Sequence, residues 1–179
     1  MKGYLTMNIE VNLDNLTKEE QEQFNALVEK ANKPQSKVWK PEKRDTYYVI
    51  DECADICDHT YKGCIDDIKA HSIGNCFKTK EEAKFALEKL KVIAEMKRYI
   101  AEHDDVELDW NNYQQRKHYI FYLYPDDENG IAGNIIGINN VYSAQELENT
   151  LYASSLKILK DMIKEIGEDR IKKYYFGVE

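Results

Sequence analysis

Thr46-Tyr47-Tyr48-Val49-Ile50 is a run of β-branched and aromatic residues, Asn75-Cys76-Phe77 offers a second short extended run, and Thr79-Lys80-Glu81-Glu82-Ala83 then opens a helix with a capping box. The same order returns in His118-Tyr119-Ile120-Phe121-Tyr122, Asn140-Val141-Tyr142 and Ser143-Ala144-Gln145-Glu146-Leu147. Two β-β-α units in succession predict an α+β fold, a mixed or antiparallel sheet packed by two long amphipathic helices. The units span about residues 37–109 and 110–179 and form a main domain over 37–179, preceded by a strand–helix arm over 1–36.

On the N-terminal side, Ile9-Glu10-Val11-Asn12-Leu13 alternates as a strand does, and the Thr17-Lys18-Glu19-Glu20 box starts a helix that ends before Pro34. The helix from Thr79 carries an apolar stripe through Ala83, Leu87, Leu90, Ile93 and Ile100 and should run to about residue 102. Lys117 to Tyr124 reads as a strand closed by the turn at Pro125 to Gly130, with Gly133 and Gly137 marking bends or bulges in the extended segment beyond that turn. The last helix is expected to start at Ser143, to carry Leu147, Leu151, Leu159 and Met162, and to end at Gly167. The closing Tyr174-Tyr175-Phe176 is apolar enough to dock on the core.

A chain of 179 residues buries enough surface to fold without a disulfide or metal staple. Its net charge of −8 and pI near 5.1 argue against a simple nucleic-acid binder, since that affinity comes from neutralising phosphates. No stretch is apolar enough to span a membrane and the start lacks a signal-peptide core, which predicts a soluble, cytosolic protein; Met7-Asn8-Ile9-Glu10 reads as an alternative start to Met1. Thirteen tyrosines against five phenylalanines suit half-buried sheet faces and interfaces, and make a homodimer plausible.

Residues 51–72 read as an irregular insert that interrupts the first unit. The insert holds Asp51, Glu52, Asp55, Asp58, Asp66 and Asp67 against Lys62 and Lys69, and an acidic surface of this kind can engage a basic partner by charge complementarity. We take these six residues as the candidate partner-binding set. Around Trp39, the cations Lys37, Lys40, Lys43 and Arg44 form a small basic-aromatic stretch, the candidate nucleic-acid contact. Cys53, Cys57, Cys64 and Cys76 lie near His59 and His71, but without paired Cys-x-x-Cys knuckles they read as reduced thiols rather than as zinc ligands. A Cys76 or Cys64 nucleophile with His71 has nothing local to fix its geometry, and no phosphate-binding loop, dinucleotide fingerprint, nucleophile elbow or metalloprotease motif is present. The expectation is a non-enzyme with no cofactor and no metal.

Trp39-Lys40-Pro41, the block Ile73-Gly74-Asn75-Cys76-Phe77-Lys78-Thr79-Lys80-Glu81-Glu82-Ala83, the Leu90-Lys91-Val92 after it and the ending from Ile166 to Val178 together carry a resemblance. In these blocks the chain resembles a family of small accessory proteins from phages and prophages of Gram-positive bacteria, and departs from it in the insert and in a longer last helix. The resemblance implies a phage counter-defence protein acting in the bacterial host cytoplasm. Most concretely it implies an anti-CRISPR inhibitor that binds Cas9 with its guide RNA, with DNA contact possible. Two other functions stay open: a nucleic-acid-binding accessory protein using the Trp39 stretch and the Arg170, Lys172 and Lys173 tail, and a sponge for a nucleotide immune signal held between the sheet units.

Overall fold

The computed structural model describes residues 15–32, 39–125, 133–142, 146–147 and 149–178. The chain divides into two compact units, Met1–Lys40 and Pro41–Glu179. In the first, α1 spans Lys18–Asn32. It begins at the expected capping box: the Thr17 N–H donates to Glu20 Oε2 at 2.8 Å and the Glu20 N–H to Thr17 Oγ1 at 3.4 Å. Leu27 and Val28 of this helix are exposed. The expected strand at Ile9 to Leu13 lies outside the described residues.

The second unit is α+β, with two antiparallel sheets. Its first part is a hairpin of β1 (Thr46–Ile50) and β2 (Ile56–Thr60) in the register Tyr47↔His59 and Val49↔Cys57, followed by α2 (Ile65–Ser72). The expected irregular insert is therefore a strand and a helix. Ile56-Cys57-Asp58-His59-Thr60 hides its strand character because only its first two residues are even half buried, so little hydrophobic alternation is needed. The Asn75-Cys76-Phe77 run contributes one bridge, Phe77 to Tyr48, on the far side of β1.

Helix α3 (Lys80–His103) follows, and Thr79 and Glu82 exchange the expected capping-box bonds at 3.1 and 3.2 Å. The second sheet has the order β4-β3-β5, with β3 Lys117–Leu123, β4 Ile135–Val141 and β5 Tyr152–Ala153. Gly137 is no bulge. It pairs directly with Phe121 in an unbroken register, and a Cβ there would sit 2.3 Å from the Phe121 ring, so the glycine makes room for the aromatic lying across it.

Ser143 lies outside the described residues, but no helix runs on from it: Leu147 and Leu151 are non-helical, Tyr152–Ala153 pairs with β3, and α4 spans Leu156–Ile166. Ser155 caps it by accepting from the Ile158 N–H at 3.4 Å, while Ser154 is tied through its N–H and hydroxyl to Asp104, both at 2.6 Å. Tertiary pairing thus sets the helix start, against the local signature at Ser143. Gly167 ends α4 with φ 97°, and α5 (Glu168–Ile171) runs into a π-helical turn, Lys172–Phe176. The main core joins Val92 and Met96 of α3, Ile120 of β3, Ala153 of β5, Leu159 and Met162 of α4, and Ile171, with Tyr174, Tyr175 and Phe176 packed against it as expected. Arg170 locks α5 to α3 through ion pairs with Glu88 and Glu95.

Candidate functional site

The β1–β2 turn is built by one carboxylate. Asp51 Oδ1 accepts from the N–H groups of Cys53 at 2.9 Å and Asp55 at 2.8 Å, and Oδ2 accepts from the Cys57 thiol at 3.5 Å. This is the aspartate-turn chemistry that lets Ala54 sit at φ 61°. The Asp55 N–H, first among these donors, holds the Asp51 carboxyl below its ordinary value, and the contact with Asp51 pushes the Cys57 thiol up.

A second carboxylate positions α2. Buried Asp67 accepts from the Tyr47 hydroxyl at 2.7 Å and from the N–H groups of Lys62 at 2.8 Å and Cys64 at 3.1 Å. Led by the Tyr47 bond, these contacts hold Asp67 well below the usual carboxylate range. Burial, then Asp67 itself, pushes the Tyr47 phenol well above its ordinary value. The ion therefore stays charged and fastens the first turn of α2 to β1 and to the chain between β2 and α2.

Between the hairpin and α2 lies a cavity of about 550 Å³, walled by Asp51, Glu52, Asp58, Asp66 and Asp67 with Tyr47, Val49 and Ile50 from β1. Lys62 is the one lysine among its lining residues. Five of the six acidic residues singled out in the sequence thus meet at one cavity, and Asp55 lies outside it. Asp51 and Asp67 are occupied with protein donors. The side chains of Glu52, Asp58 and Asp66 are exposed and make no hydrogen bond or ion pair with any described residue, so three carboxylates, on the β1–β2 turn, β2 and α2, remain open to a partner.

No family model, curated protein or solved structure matches this chain.

The basic stretch is divided between the two units. Lys37 lies outside the described residues, Trp39 and Lys40 close the first unit, and Lys43 and Arg44 sit in a turn at the start of the second. Of the tail cations, Arg170 is paired with Glu88 and Glu95, Lys172 with Glu168, and Lys173 lies over the Tyr174 ring at 5.8 Å. The four cysteines are free thiols. Burial, then the Asp67 charge, raises the Cys76 thiol, which with Cys57 is thereby held in the weakly nucleophilic protonated form. Among the described residues no three His, Cys, Asp or Glu side chains are placed to share a metal ion, and no helix is long and apolar enough to cross a membrane.

Sequence reasoning missed a second cavity of about 610 Å³, walled by Tyr119, Phe121, Tyr122, Tyr124, Tyr175 and Phe176 and carrying Lys89. Its signal lay in the tyrosine-rich β3 and the Tyr174-Tyr175-Phe176 tail, but the tyrosine excess pointed to sheet faces or interfaces without locating them, and the tail only to docking on the core.

Proposed function

We propose that this protein is a non-enzymatic binding protein that uses the cleft between the β1–β2 hairpin and α2 to engage a basic surface of its partner. The observation that carries this reading is the set of three uncommitted carboxylates, Glu52, Asp58 and Asp66, around one cavity whose own frame is fixed by Asp51 and Asp67. A pre-positioned acidic wall attracts a basic partner at long range and needs little reordering on contact. The resemblance to phage accessory proteins directs the proposal to a host-defence target in the bacterial cytoplasm, most concretely a Cas9-type effector, whose nucleic-acid channel is positively charged. In this reading the protein occupies basic surface that otherwise meets phosphate.

The test pairs capture of guide-loaded and empty Cas9 with a DNA-cleavage assay, using the wild-type chain and a variant combining Glu52→Lys, Asp58→Lys and Asp66→Lys. The wild type should bind and inhibit. The triple variant should lose about tenfold or more in affinity while keeping its melting temperature, because none of the three side chains is bonded to a described residue. Absence of binding across several Cas9 orthologues sinks the Cas9 assignment; inhibition that survives the triple charge reversal sinks the cleft.

A further inference from the structure

The second cavity lies against a strand edge rather than a sheet face. Tyr119, Ile120, Phe121 and Tyr122 all line it, yet successive side chains of a strand leave opposite faces. Ile120 points into the core, whereas Tyr119 packs with Tyr152 and Phe121 on the other face. What four consecutive residues share is their backbone edge. On one side β3 pairs with β4 along its whole length, from Lys117↔Val141 to Leu123↔Ile135. On the other side β5 pairs only with His118 and Tyr119. The chain next to β5 then turns away through Asn149 at φ 61°, with the Thr150 N–H donating to the Leu147 carbonyl. Past Tyr119 that edge pairs with no other described strand. The cavity fills the lane that a longer β5 would occupy.

We infer that the β3 edge is a strand-addition site for an extended peptide of a partner protein, with apolar side chains alternating with acidic ones. The alternating N–H and C=O groups of Ile120–Leu123 supply main-chain recognition, and Tyr122, with Tyr124 edge-on and Phe176 tilted against it, forms the aromatic cluster that receives the apolar side chains. The Tyr122 hydroxyl is held by Asn134 and the Tyr175 hydroxyl by the Asn149 carbonyl, so these residues offer ring surface to the cleft. Lys89 of α3 is the one charged lining residue and has no ion-pair partner among the described residues, which selects a carboxylate. A second copy of this chain would bring another Lys89 to the same lane, and a nucleotide would leave the alternating backbone groups unmatched. The strand-addition site is independent of the acidic cleft.

The experiment uses the full chain and two acetylated, amidated hexapeptide probes, one alternating valine and glutamate, the other valine and lysine. In the free protein, amide hydrogen exchange should be fast at alternate residues of Ile120–Leu123 and slow at those bonded to β4. The valine–glutamate probe should slow the fast amides, and methylating its alternate peptide nitrogens should weaken it about tenfold or more. Lys89→Glu, a change at an exposed position, should weaken the same probe about tenfold and favour the valine–lysine probe instead. The inference is overturned by any of three results: all four amides protected in the free chain, whether in a monomer or in a dimer detected by light scattering; no binding at millimolar probe; or binding indifferent to methylation and to Lys89→Glu. Displacement of the probe by adenosine diphosphate, with no amide protected, would reassign the cavity to a nucleotide.

Discussion

Two strands of this protein, β1 and β3, each have one side fully paired, and their other sides are finished differently. Beyond its hairpin with β2, β1 exchanges both backbone bonds with Phe77 at Tyr48, each 2.9 Å long. Two residues further on, the Asn75 amide takes the place of a strand: Oδ1 accepts from the Ile50 N–H at 2.8 Å and Nδ2 donates to the Ile50 carbonyl at 2.7 Å. A single side chain thus closes an edge that would otherwise template pairing with another chain. On β3, no described strand provides such a cover past Tyr119. The contrast extends to what holds each region. Around β1 the ties are polar, through Asp51, Asp67 and Asn75, whereas β3 lies on the apolar core shared with α3 and α4. A capped edge on a polar frame beside an open edge on a rigid core assigns display to the second strand.

The largest effect should come from the apolar side of this contrast. Leu159→Ala removes a fully buried side chain between α3, β3 and α5 and should cost about 2–5 kcal/mol in urea unfolding. A loss under about 1 kcal/mol would mean that β3 is not organised around this core. Next comes the cap on β1. Asn75→Ala leaves the Ile50 N–H and C=O without partners and should cost about 1–3 kcal/mol. It should also speed exchange at the Ile50 amide and raise self-association, turning the closed edge into an open one. Exchange at Ile50 unchanged from wild type would show that the amide is not the closure. Tyr47→Phe should be milder, about 1 kcal/mol, because Asp67 keeps the Lys62 and Cys64 N–H groups. A variant as damaging as Asn75→Ala would make the Tyr47 hydroxyl, rather than the backbone donors, the main tie of α2.

These ties divide what the sequence disclosed from what it concealed. Helix α1 was legible from its capping box and the stop before Pro34, α3 because capping box and apolar period agree at Thr79, and β1 and β3 because their aromatic runs have no helical period. Strand β2 was hidden by exposure: a strand in a two-stranded hairpin with solvent on one face needs little apolar patterning. The expected helical course of Leu147 and Leu151 fails for the opposite reason. A good local signature upstream of them is overridden by the pairing of Tyr152–Ala153 with β3 and by Ser154 on Asp104, fifty residues upstream. At the acidic cleft the residues were legible as a cluster, but their division of labour was not. Asp67 is fixed by Tyr47, twenty residues away, and no periodicity reports such a contact. The β3 edge was illegible because openness belongs to pairing, and β5 becomes short only once the chain turns at Asn149.

The smallest effect is a pH signature that separates the two regions. His118 on β3 is nearly buried, and its Nδ1 has no hydrogen-bond partner among the described residues. Burial first, and the Arg116 charge second, lower its pKa from the ordinary 6.5. The native protein thus disfavours the imidazolium, whereas the unfolded chain protonates at about 6.5. Stability from this group is full above about pH 6.5 and falls as pH drops from there to the lower folded-state pKa. Around β1 the sign of the shift is the same but the window is not. Asp51 and Asp67 are lowered from 3.8, so their contribution is full above about that pH and lost only as pH falls further. Urea titrations from pH 7 down to 5 should therefore report on β3 while leaving the polar frame of β1 charged. His118→Gln should flatten that limb of the profile and leave the limb below pH 4 in place. A profile whose upper limb survives the substitution would assign the loss to a group outside β3 and remove the distinction between the two edges in acid.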